Sequence, residues 1–215
     1  MNSKKAVILA GGDLRVTLAV QTLSRQTDFV VAANGGLRHA ERLGVAPDLI
    51  VGDFDSAPPE TLAKYADVPR ETHRADKDLL DLELAIERVL AQEITHLHLL
   101  GVLGGRFDQS LAAVLIAARH VTEGVTVSLH SGVQDVFFLV GPERRTFALP
   151  PDSVFSVLSL VATSTLSLEG AKFPLDHHSL KFGVGLGVSN RTLKEPLTVT
   201  LVEGLVALVI EHETV

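Results

Sequence analysis

An α/β domain with a parallel sheet, followed by an all-β sandwich, is the fold the sequence predicts, and three observations carry it. In the first half, the apolar runs 6–10, 29–33 and 49–51 each end at glycine, asparagine or aspartate, and the first two lead into helical spacing. Aromatic residues are only 5% of the chain while Val, Leu and Ala abound, as expected where helices cover both faces of parallel strands. After Gly124, short strand-like runs succeed one another with no long helical period. The expected division is an α/β domain over residues 1–131 and a sandwich over 132–215.

With 215 residues, 46% of them hydrophobic, the chain suffices for one large domain or two modest ones with real cores. Its formal charge of -7 argues against binding nucleic acid or an anionic membrane through bulk electrostatics, so an anionic substrate needs local cations or a metal. The absence of cysteine excludes disulfides, thiolate metal sites and a cysteine nucleophile, and a cytoplasmic location fits best. The run at 6–10 is too short for a signal peptide or a membrane span and reads as the first strand.

That strand ends at Gly11-Gly12, and Leu14, Leu18 and Leu23 recur at roughly helical spacing as far as Gln26. A second strand at 29–33 runs into Asn34-Gly35-Gly36 and a helix to about Leu43. The third, 49–51, enters Gly52-Asp53-Phe54-Asp55-Ser56. Side chains two apart on an extended segment point the same way, so Asp53 and Asp55 can share one cation at a metal-phosphate site. An acidic, capped strand-to-helix turn is the plainer alternative, and Pro58-Pro59 suits a first helical turn.

The second acidic cluster is Asp76-Lys77-Asp78-Leu79-Leu80-Asp81-Leu82-Glu83. Leu79, Leu82, Ile86, Val89 and Leu90 form the buried stripe of a helix whose first turn is acidic, with Asp78 and Asp81 as i, i+3 neighbours. Lys77 either balances the cluster or contacts phosphate oxygens. His96 and His98 alternate with leucines in a strand at 97–100 and lack metal-ligand spacing. Then comes Gly104-Gly105-Arg106-Phe107-Asp108-Gln109, ahead of an apolar helix at 111–118. Its glycines let backbone amides approach a phosphate, and Arg106 adds a bidentate donor. Asp108 caps the helix, orients Arg106, receives a proton or reaches a metal. The parallel-sheet topology places all these turns at the carboxyl ends of strands, where ligands bind. Neither a dinucleotide fingerprint nor a P-loop motif is present.

Strand-like runs continue at 125–129, 136–140, 146–149, 154–160, 165–168, 197–202 and 205–210, the first of them positioned to complete the parallel sheet. His177 and His178 read as solvated loop residues.

In order and spacing, the three motifs resemble those of the thiamin pyrophosphokinase family: Gly-Asp-x-Asp-Ser, Lys-Asp-x-Thr-Asp and Gly-Gly-Arg-x-Asp-His/Gln. Gly170-Ala171-Lys172-Phe173-Pro174-Leu175 and Gly187-Val188-Ser189-Asn190 are similar to stretches of that family's second domain. Leu80 stands where the family usually has threonine, and Asn34 where it commonly has aspartate. The resemblance implies an α/β domain followed by a sandwich, paired as a homodimer with active sites between subunits. It implies transfer of the diphosphate group of ATP to the hydroxyl of thiamin, with Mg2+ held by Asp53, Asp55 and Asp78 and supported by Asp81. Asn34, Gly35, Gly36, Ser56, Lys77, Gly105, Arg106 and Gln109 would then serve ATP, and Asp108 would orient it. Phe173 would form part of an aromatic wall for thiamin, with Ser189 and Asn190 supplying hydrogen bonds from the sandwich. Asp53 or Asp78 would accept the hydroxyl proton. A diphosphotransferase for another hydroxymethyl substrate, such as a pterin, or a non-catalytic thiamin or nucleotide sensor would use many of the same residues.

Overall fold

In the computed structural model, residues 4–53, 59–72 and 79–212 are described, and the chain divides into two units. The first is Met1–His120 with Gly124–Gly132, and the second is Val121–Glu123 with Val133–Val215.

The first unit alternates strand and helix. Its elements are β1 (Lys5–Leu9), α1 (Leu18–Arg25), β2 (Phe29–Ala33), α2 (Leu37–Leu43), β3 (Leu49–Gly52), α3 (Pro59–Lys64), β4 (Arg70–Thr72), α4 (Asp81–Leu90), β5 (His96–Leu100), α5 (Phe107–Thr122) and β6 (Thr126–His130). The strands are parallel, in the order β6-β5-β1-β2-β3-β4. From β1 the chain builds outward to β4, then returns to the other side of β1 to lay down β5 and β6. Such a reversal is where an open α/β sheet forms its ligand crevice, beyond the carboxyl ends of the strands. Ala6, Val7, Ile8 and Leu9 are all 0% exposed although successive side chains face opposite ways, so both faces of the sheet are covered.

Several helix boundaries differ from expectation. α1 begins at Leu18 because Thr17 takes the N-cap, its Oγ1 accepting from the Val20 amide at 3.2 Å, and Leu14 is buried from the preceding loop. In α4 the buried residues are Leu84, Ala85, Ile86 and Val89, whereas Leu79 lies before the helix and is exposed. The expected stripe was displaced because the helix starts at Asp81. α5 starts at Phe107, earlier than its apolar run suggested, and Leu111 and Leu115 face outward at 45% and 56% exposure.

The second unit contains β7 (Gln134–Val140), β8 (Glu143–Phe147), β9 (Val154–Ser159), β10 (Thr163–Glu169), β11 (Leu175–Lys181), β12 (Asn190–Arg191), β13 (Leu197–Glu203) and β14 (Leu205–Glu211). Antiparallel pairing orders them as β12-β9-β14-β7 and β11-β10-β13-β8. Leu139, Phe155, Val157, Val206 and Leu208 from one sheet meet Leu166, Leu168, Leu180, Val199 and Leu201 from the other in a single core, the predicted sandwich. β11 was not legible, and it places His177 and His178 in a strand rather than a loop. His177 has φ 45, and the pairing with β10 shifts register between Leu166 and Leu168, so the alternation that marks a strand is broken. Among the described residues, no helix is long and apolar enough to cross a membrane.

Candidate active site

Two backbone segments form the floor of the crevice. Beyond β1 the chain pairs with the loop after β5: the Ala10 amide donates to Leu100 O at 2.8 Å, Gly12 to Gly101 O at 2.6 Å and Asp13 to Leu103 O at 3.1 Å. Beyond β2, Asn34–Gly36 forms a single 3₁₀ turn into α2. Gly36 is required there, because a Cβ on it would lie 1.9 Å from the Leu9 carbonyl oxygen. The result is a cavity of about 680 Å³, a size suited to a small-molecule ligand. Gly11, Gly12, Asn34, Gly35, Leu80, Asp81, Gly105, Arg106 and Gln109 all line it.

Asn34 is the meeting point of the acids. Its Nδ2 donates to Asp53 Oδ1 at 2.9 Å and to Asp81 Oδ2 at 3.1 Å. Asp53 follows β3 and Asp81 opens α4, where a carboxylate is favoured by the helix dipole. Two carboxylates roughly 5 Å apart repel by about 1–3 kcal/mol at dielectric values between those of water and a protein surface. Hydrogen bonds to charged acceptors contribute about 1.5–3 kcal/mol each, enough to offset that repulsion. Gly52 makes the approach possible: at φ 149, a Cβ there would sit 3.1 Å from Asn34 Cα and Cβ.

Arg106 and Asp108 form a bidentate pair, Nε donating to Oδ1 at 3.1 Å and Nη2 to Oδ2. The guanidinium holds the Asp108 carboxyl below the usual carboxylate range. Both side chains are well exposed, so the pair orients Arg106 toward the cavity more than it stabilises the fold. Asp53 and Asp108 do not line the cavity; each touches a residue that does. Asp55, Ser56, Lys77 and Asp78 lie outside the described residues. Among the described residues, no cluster of three or more histidine or carboxylate side chains is assembled for a metal.

Three residues that the sequence reading passed over support the same floor. Arg38 Nη2 donates to Gly11 O at 2.6 Å and Gly12 O at 3.1 Å. His39 Nε2 lies 2.9 Å from Gly12 O, so this nitrogen carries the proton and donates. Its Nδ1 then accepts from Arg42 at 3.4 Å. Burial pushes the His39 pKa below its usual value, with the Gly12 bond opposing. Asp13 lies against Gly104, within 2.7 Å of where a Cβ would be. The available signal was local: an acid directly after a glycine pair at a strand end, and two basic residues on the first turn after another.

In the sandwich unit, Phe173 is 62% exposed, with Lys172 Nζ 5.7 Å above its ring. Asn190 is buried; its Oδ1 accepts from the amides of Phe173 at 3.1 Å and Arg191 at 2.8 Å, while Nδ2 donates to Phe173 O at 2.8 Å. Its amide is therefore committed to the backbone beneath Phe173, because a buried amide must be satisfied. Ser189, at φ 58, donates its amide to Ser156 Oγ at 3.0 Å.

Two family descriptions match the sequence: "Thiamin pyrophosphokinase, catalytic domain" over residues 20–129 and "Thiamin pyrophosphokinase, vitamin B1 binding domain" over residues 147–206. Thiamine pyrophosphokinase of Bacillus subtilis (strain 168) is 23% identical over 208 residues, 94% of this chain and 96% of that protein. Thiamine pyrophosphokinase 1 of Oryza sativa subsp. japonica is 27% identical over 175 residues, 74% of this chain and 64% of the rice protein, so the chain spans less than two thirds of it. The crystal structure of the Bacillus subtilis enzyme has a TM-score of 0.87 at 21% identity, covering 98% of this chain and 100% of that one. The structure from Candida albicans gives 0.82 at 16% identity, covering 98% and 90%. Both share the fold.

Proposed function

Since the chain belongs to the thiamin pyrophosphokinase family, we propose that the cavity at the strand ends of its α/β unit binds ATP and that its sandwich unit presents thiamin. The reaction moves a diphosphate group. The thiamin hydroxyl oxygen attacks the β-phosphorus of ATP, the bond from that phosphorus to the oxygen bridging to the α-phosphorus breaks, and AMP leaves. The hydroxyl proton passes to a carboxylate at the strand ends. Both family matches name thiamin, so a pterin substrate is not favoured.

The observation that carries this reading is the convergence of Asp53 and Asp81 on Asn34 at a glycine-floored cavity that Arg106 also lines. Carboxylate oxygens are the donors that Mg2+ prefers, and Asp53 would hold it together with Asp55 and Asp78. When bound, Mg2+ neutralises charge on the polyphosphate oxygens. The chain's own part is to position the groups: Gly35 and Gly105 leave room for phosphate beside backbone amides, Arg106 contacts it bidentately under the control of Asp108, and Lys77 and Ser56 add polar contacts. Gln109 and Asn34 border the nucleotide. Phe173 offers its exposed ring to the cationic thiazolium, Ser189 offers its hydroxyl, and Asn190 acts by holding the Phe173 backbone.

The working form we propose is a cytoplasmic homodimer with active sites between subunits. Phe107, Leu111 and Leu115 support pairing, since they are exposed at i, i+4, i+8 along one side of α5 and a second copy would cover them. An ATP-consuming reaction fits the cytoplasm. The test is AMP release from Mg2+-ATP by the purified chain with and without thiamin. Thiamin-dependent AMP and the appearance of thiamin diphosphate are expected; binding of both substrates without AMP would overturn the catalytic reading.

A further inference from the structure

The geometry points to Asn34 as a positioning residue that draws Asp53 and Asp81 into one carboxylate pair before a divalent cation arrives. This rests on the reading of the strand ends as a metal-phosphate site. A single nitrogen, Nδ2, gives both its hydrogens to side chains that enter from different elements, 19 and 47 residues away. The Asn34 backbone is left-handed, with φ 45, and Gly52 leaves the space its side chain crosses. Asparagine meets every requirement of the position. It tolerates the left-handed region, it is short, it adds no charge, and it carries two hydrogens on one atom. Accepting one amide hydrogen is compatible with ligation of a cation through the same carboxylate, as for partners that orient metal ligands generally. An aspartate at 34 would bring a third negative charge and no hydrogens, so the three acids would repel until a cation came among them. In this chain the amide bonds both acids, and a cation would meet a pair already formed, which favours affinity through preorganisation.

The experiment titrates Mn2+ into the full-length chain, with and without α,β-methylene ATP, and counts free Mn2+ by electron paramagnetic resonance. Wild type is compared with Asn34→Gly, which keeps the left-handed backbone and removes the amide, and with Asn34→Asp, which keeps the shape and exchanges two donors for a charge. Asn34→Gly is expected to bind Mn2+ about tenfold more weakly and to need more Mg2+ for turnover, with KM for thiamin unchanged. Asn34→Asp is expected to have a lower Tm than wild type in EDTA and a larger rise in Tm on adding Mn2+. Should Asn34→Gly fail to fold, the Asn34→Asp comparison decides alone. Wild-type affinity and wild-type Tm response in the variants would overturn the role of Asn34 and leave the metal reading standing. No Mn2+ binding by wild type would overturn the metal reading, and this inference with it.

Discussion

At the carboxyl edge of the parallel sheet, Asn34 turns its amide toward two carboxylate side chains, whereas in the sandwich unit Asn190 turns its amide toward the backbone of Phe173. Asn34 is half-buried and manages charge; Asn190 is buried and shapes a loop. A site for polyphosphate needs like charges held together against their repulsion, and side-chain donors supply that. A stacking surface needs only a ring presented at a set place, and backbone hydrogen bonds underneath are enough. The same residue type therefore serves electrostatics in one unit and shape in the other.

The largest expected effect separates these roles at once. Asp53→Asn keeps the side chain's size but removes its charge, and kcat should fall about 100-fold or more with the far-ultraviolet circular dichroism unchanged. In the sandwich unit, Asn190→Ala leaves the Phe173 and Arg191 backbone groups unpaired and should cost about 1–3 kcal/mol in urea unfolding, with KM for thiamin rising alongside. Phe173→Ala, at an exposed ring, should raise KM for thiamin roughly 3- to 30-fold, more than KM for ATP, with stability unchanged. Equal losses of stability in both variants would make Phe173 part of the scaffold instead.

A smaller effect probes the floor beneath Asn34. Burial holds the His39 pKa below its usual value of 6.5, with Arg38 and Arg42 acting in the same sense and the Gly12 hydrogen bond and Asp13 against. As pH falls below about 6.5, the unfolded chain takes up a proton that native His39 resists. The contribution is therefore present above that pH and is lost as pH falls toward the folded pKa. Urea midpoints should decline between about pH 7.5 and 5.5, and His39→Gln should flatten that decline. The smallest effect concerns Leu80, at the N-cap of α4, where its own amide is bonded by Glu83 Oε2 at 3.2 Å but its side chain can accept nothing. Leu80→Thr should add about 0.5–1 kcal/mol by capping the helix that carries Asp81, measured as a higher urea midpoint.

Sequence alone determined the fold class and the line of turns at the strand ends. Those signals are local: apolar runs too short for helices, closed by Gly11-Gly12, Asn34-Gly35-Gly36, Gly52-Asp53 or Gly104-Gly105, report their own backbone needs. Only tertiary structure decided what meets at the turns. Asn34, Asp53 and Asp81 converge because the strand order reverses beside β1 and because α4 begins above β2, and no spacing along the chain encodes a contact across 47 residues. Leu79, Leu111 and Leu115 have the spacing of buried residues and are exposed, since periodicity names a face without saying what covers it. β11 was hidden for a related reason. Its bulge at His177 is stabilised by pairing with β10, and a strand whose alternation is broken is recognisable only beside its neighbour.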